Sequence, residues 1–272
     1  MTEKIDKLIE YVKDKTKCEV YNIKIENEKP SIFDSKIGGL PYWTTDKEYP
    51  KNSKGNKLYL LAQINFDKCE VDDPLPKNGL LQFFISDDDL MGMNFDEPFK
   101  QDGYRVIYHE NVDYNITEES IIKADIPDSK NNECLPVTGE CKISLHKNID
   151  YMSPDDFRFD KLFPEAYKEV YGQELPKDKK FYFDVLNDEE ENILLENLSS
   201  KINHKMLGYP YFTQTDPRYG ESCSSMDTLL FQLDSENKYI MWGDAGIGNF
   251  FINKESLLKK DFSKVLYNWD CC

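Results

Sequence analysis

Ser35–Thr44 reads SKIGGLPYWT and His204–Thr213 reads HKMLGYPYFT, and the reading of these two stretches decides the fold. They align without a gap: Lys36 falls on Lys205, Gly39 on Gly208, Pro41 on Pro210, Tyr42 on Tyr211 and Thr44 on Thr213. The same offset carries Leu60, Leu61 and Gln63 onto Leu229, Leu230 and Gln232, which makes LYLLAQI and TLLFQL equivalent strands. After a two-residue deletion GLLQFFIS meets GIGNFFIN, setting Phe83 and Phe84 on Phe250 and Phe251. One register held through three successive segments implies duplication of a supersecondary unit. Each copy leaves an apolar face and an edge to cover, so the sequence predicts two units sharing one core about an approximate twofold.

CEVYNIKI, KLYLLAQINF, GLLQFFIS, YRVIYH and CKISLH are short, aromatic and β-branched, with turn residues in most of their connections. This predicts an α+β fold that is mainly antiparallel β. Ile5, Leu8, Ile9 and Val12 recur at helical spacing and open the chain with an amphipathic helix. Ser153 as N-cap, Pro154 and Asp156 mark a second helix start, split by Pro164 and ended by Gly172. KKFYFDV reads as a strand and NDEEENILLENLSSKI as a helix with Leu195, Leu198 and Ile202 on one face. DTLLFQLDS, KYIMW and GNFFIN read as strands, followed by an amphipathic piece around Leu257 and Leu258. The expected organisation is one domain over 1–272, with units at about 30–146 and 203–270 and a helical connection over about 153–200.

KIGGLPYW, the LLAQI strand and GLLQFF, then LGYPYFTQTDPR, LLFQLDS and MWGDAGIGNFFI, together resemble the bacterial YwqG-like family. The resemblance covers nearly the whole chain. That family is a domain of unknown function, so it implies a fold and supplies no catalytic pattern. Asn249 stands where the family pattern suggests an aromatic or aliphatic residue, a departure that bears on packing.

The chain carries 34 Lys and Arg against 51 Asp and Glu, a formal charge of −17, so nucleic acid and anionic lipid are repelled at long range. No apolar run is long enough to span a membrane and the N-terminus lacks a signal-peptide core, which predicts a cytoplasmic protein. Seven scattered cysteines, an odd number, read as reduced thiols, with Cys134 and Cys141 the pair a short loop could join.

His109, His146 and His204 lie far apart and no C-x-x-C occurs, which argues against zinc; no cofactor is expected. The acidic run from Asp87 begins like a calcium loop, but Met91 and Pro98 occupy ligand positions. GDAGIGNFF reverses the glycine spacing of a dinucleotide loop and reads as a hairpin turn displaying Asp244. No nucleophile elbow or P-loop is present. The ligand-binding candidates are therefore Lys36 and Lys205, which could converge on one anion, with Tyr42, Trp43 and Tyr211 as walls and Asp244 on its turn. Gln63 and Gln232 are expected to be buried amides satisfying backbone groups.

Two functions stay open. One is an interaction module for a basic protein, such as an immunity-type inhibitor of a basic toxin, motivated by charge and aromatic content. The other is an enzyme or small-ligand binder with its site in the cleft between the units.

Overall fold

The computed structural model describes residues 2–200, 203–236 and 238–272. Ten strands form one sheet: β1 (Cys18–Glu26), β2 (Lys36–Gly38), β3 (Tyr59–Asn65), β4 (Leu80–Ile85), β5 (Tyr104–His109), β6 (Glu140–Asp150), β7 (Lys205–Leu207), β8 (Thr228–Asp234), β9 (Ile247–Ile252) and β10 (Val265–Asp270). Every pairing is antiparallel. The spatial order is β10-β9-β8-β7-β1-β6-β2-β3-β4-β5. The helices are α1 (Thr2–Thr16), α2 (Glu118–Lys123), α3 (Phe159–Tyr171), α4 (Asp188–Leu198) and α5 (Lys254–Leu258).

The two stretches that opened the sequence reading occupy β2 and β7, each fourth from its own end of the sheet. Lys36 pairs with Gln63 on β3, and Lys205 pairs with Gln232 on β8. β3 carries an irregularity between Leu60 and Ala62, and β8 carries one between Leu229 and Phe231. Such an extra residue bends a strand and reverses which side chains face inward.

The sheet curls so that its two halves face each other. Phe83 of β4 stacks on Phe231 of β8 at 4.6 Å and lies 4.9 Å from Phe250 of β9. At the open seam between β5 and β10 the Tyr104 hydroxyl donates to the Val265 carbonyl at 2.6 Å. Inner-face residues of both halves join one core that includes Ile37, Leu81, Phe83, Leu230, Phe250 and Tyr267. Outside the sheet, α1, α3 and α4 pack a second cluster through Ile5, Leu8, Phe163 and Leu194. Trp43, Tyr49, Leu60 and Phe84 build a third around α2 with Ile121. Central strands are thus covered on both faces, which is why LLQFFI is apolar almost throughout.

Four local expectations are corrected. KKFYFDV is no strand: Asp184 accepts the backbone amides of Lys180 and Phe181 and winds Tyr182–Asp184 into a short 3-10 turn. In KYIMW the backbone of Ile240 makes only isolated bridges, to Val137 and Glu236, so β8 pairs directly with β9. The second helix begins at Phe159 and runs through Pro164 to Gly172, whose φ of 73° ends it. On α4 it is Leu194, with Glu190 and Leu198, that faces inward. Ile202, placed on that face by the sequence, lies outside the described residues.

Candidate functional site

Lys36 and Lys205 project to the outer face of the sheet, opposite Ile37 and Met206 in the inner core. Two strands, β1 and β6, separate the strands that carry them, about 14 Å at ordinary strand spacing. Each lies under its own cover. The Lys36 ammonium donates to the Leu40 carbonyl, and burial pushes it down to about 8 against the pull of Glu140 and Asp128. Lys205 lies 3.2 Å from Asp150 Oδ2 and 3.0 Å from Ser200 Oγ. Asp150 Oδ2 also accepts the Tyr209 amide. Gly208 makes this possible: its φ is +72°, and a Cβ there would meet Asp150 Oδ2 at 2.5 Å.

Tyr42 and Trp43 are buried and flank His109 edge-on, at 5.2 and 5.4 Å between ring centroids. The Tyr42 hydroxyl accepts the Asp113 amide, while Trp43 Nε1 donates to the Lys47 carbonyl. Tyr211 is half-buried in the other half, and Asp244 is exposed on a turn beside Trp242. The candidates are therefore distributed over both halves of the sheet.

The paired turns are held by amides. Gln63 Oε1 accepts the Tyr42 amide and Gln232 Oε1 accepts the Tyr211 amide. Gln82 Nε2 donates to the Tyr42 carbonyl, and Asn249 Nδ2 donates to the Tyr211 carbonyl. Asn249 thus does at β9 what Gln82 does at β4, which accounts for a polar residue in an apolar run. Gln63 Nε2 closes on the carbonyls of Ile32 and Asp34, and Gln232 Nε2 on that of Asn203.

A buried charge group escaped the sequence reading. Asp156 and Asp216 each grip the arginine two residues on, Arg158 and Arg218, through both carboxylate oxygens at 2.7–2.9 Å. Arg218 Nη2 also reaches Asp156 Oδ2 at 3.0 Å, joining the pairs. Burial opposes the charge on Asp156, but its arginine partners outweigh this and hold the carboxyl below its usual range. The guanidinium of Arg218 is sandwiched between Phe157 and Phe251, at 4.8 and 4.4 Å. The available signal was the Asp-x-Arg spacing, which occurs in both DFR and DPR.

Two cavities open beside the Lys205 half of the sheet, the first against Arg158. One of about 340 Å³ is lined by Arg158, Tyr209, Cys18, Asp227 and Lys254. Burial pushes the Cys18 thiol up to about 12, which keeps it protonated and a poor nucleophile. The second, of about 200 Å³, lies between the sheet and α1 and α4 and includes Lys205, Asn22, Asn148, Asn197 and Asn203. Among the described residues no group of three or more His, Cys, Asp and Glu could hold a metal ion. None of the described helices is long and apolar enough to cross a membrane.

A ten-stranded antiparallel sheet with helical cover defines the class of this protein. The chain belongs to the DUF1963 family, a domain of unknown function, whose model matches residues 35–271. No curated protein matches the chain significantly.

Proposed function

We propose that the chain is a protein-interaction module of the YwqG-like kind, cytoplasmic, built by duplication of a four-stranded unit, β2–β5 and β7–β10, and directed at a basic partner. The duplication is supported by the equivalent amide clasps, Lys–Gln pairings and strand irregularities of the two halves. The observation that carries the function is the loop joining β4 to β5. It presents Asp87, Asp88, Asp89, Asp96 and Glu97 around Leu90 and Phe95, which are 41% and 73% exposed. Exposed Met241 and Asp244 precede β9 nearby in the fold, and Trp269 Nε1 of β10 donates to the Leu90 carbonyl.

The loop is held in place before any partner arrives. Asp88 Oδ1 accepts the amides of Leu90 and Gly92, and the Tyr267 hydroxyl donates to the Met91 carbonyl. At Gly92, φ is +85° and a Cβ would collide with the Gly103 carbonyl. Apolar anchors inside an acidic rim suit a basic protein surface, and fixing them beforehand lowers the entropy cost of binding. Lys36, Lys205, Tyr42 and Trp43 meanwhile use their polar groups internally, which favours binding over catalysis.

The test is the association rate of the partner recovered from the native cell. It should fall steeply between about 0.01 and 0.15 M salt, as the screening length drops from roughly 30 to 8 Å. Phe95→Ser should weaken the complex by about tenfold or more. A salt-insensitive on-rate, or a Phe95→Ser protein that binds unchanged, overturns the proposal.

A further inference from the structure

The amides around the 200 Å³ cavity are polarised by bonds they already make. Asn22 Oδ1 accepts from Asn203 Nδ2 at 3.0 Å, so Asn22 offers the cavity its NH2 group. Asn148 Oδ1 accepts the Ile149 amide at 2.8 Å, and Asn148 likewise offers a donor. Asn197 works the other way: its Nδ2 donates to the Ile193 carbonyl, leaving its own carbonyl for the cavity. Asn203 uses Nδ2 on Asn22, and its Oδ1 is buried without a partner. Leaving a buried acceptor unsatisfied is costly, and a bound donor would remove that cost. Ser199, whose hydroxyl can do either, also lines the wall.

The geometry points to a binding site for a small neutral polyhydroxylated molecule, of monosaccharide size or less. A hydroxyl donates and accepts at once, matching a wall of two amide donors and two amide acceptors. The volume is below the usual range for drug-sized ligands, which sets the size limit. An anion fits less well. It would meet the Lys13 ammonium, but also the Asn203 carbonyl and the Asp150 carboxylate, which already engages Lys205 at 3.2 Å.

The site is separate from the acidic loop, so the two proposals fail independently. The test is ligand-observed NMR on the full chain with ribose, glucose, myo-inositol and glycerol, with inorganic phosphate and acetate as charged alternatives. At least one neutral polyol should bind saturably. Asn203→Leu should weaken that binding by about tenfold, the effect of one lost hydrogen bond. Asn148→Ala should also weaken it and, at a strand-end position, supplies a second variant if the first folds poorly. Absence of saturable polyol binding overturns the proposal, as does binding that both variants leave unchanged. Saturable binding of phosphate or acetate alone overturns it too, since the charged groups would then be the recognition elements.

Discussion

His109 on β5 is almost fully buried, and its neutral imidazole is built into the structure. Gln82 Nε2 is committed to the Tyr42 carbonyl, so Gln82 Oε1 must accept, and His109 Nε2 is the protonated nitrogen at 2.8 Å. Its Nδ1 has no partner, so adding a proton there would create a buried cation without a counter-charge. Burial, with Lys47 assisting, pushes the imidazole down from 6.5 to about 4. The unfolded chain therefore binds more protons between these values, and stability is lost as pH falls from 6.5 towards 4, by up to about 3 kcal/mol. Asp234 works in the opposite sense. Burial pushes its carboxyl up to about 6, so its contribution is present below 3.8 and lost as pH rises through 6. Comparing denaturation of the native protein with His109→Gln at several pH values isolates the histidine. The native protein should lose more stability on acidification across that window, and parallel curves would refute the assignment.

At the scale of elements, the Asp156–Arg158 and Asp216–Arg218 group fastens the helical cover to the sheet. Arg158 immediately precedes α3, whereas Arg218 precedes β8 and stacks on Phe251 of β9. Removing one member strands its carboxylate partners in a dry site, so Arg218→Met should cost about 3–5 kcal/mol by urea denaturation. A loss under about 1 kcal/mol would show that water reaches the group. The elements best legible in the sequence were β3, β4, β8 and β9, because burial on both faces writes an apolar run that is hard to mistake. β10 was missed: its six residues include Asn268 and Asp270, and Asp270 is needed to hold Thr213. KKFYFDV was misread because its aromatics match strand preference, whereas the local backbone is set by Asp184 accepting the amides of Lys180 and Phe181, with Phe183 left 53% exposed. Of the sites, Lys36 and Lys205 stood out by repetition. The amides at 22, 148, 197 and 203 did not, since only the pairing of β1 with β6 and β7, under α4, gathers residues so far apart in sequence.

For the whole molecule, the decisive contact lies between the halves rather than within either. Phe83 of β4 stacks on Phe231 and packs against Phe250, so the inner face of each half is the floor on which the other rests. Separated halves would expose Ile37, Leu81 and Phe83 on one side and Leu230, Phe231 and Phe250 on the other. At about 25 cal/mol for each Å² of apolar surface, that exposure costs an amount of the order of the 5–15 kcal/mol by which a typical domain is stable. Neither half should then persist once the other has melted, and residues 1–272 should unfold as one domain in a single cooperative step. Scanning calorimetry should give one endotherm whose calorimetric and van't Hoff enthalpies agree. Phe83→Ala should lower that transition as a whole, by about 3–5 kcal/mol, because the lost contact belongs to both halves. Two resolved endotherms, or a Phe83→Ala protein in which only part of the signal moves, would mean that the halves stand independently and that the shared core does not couple them.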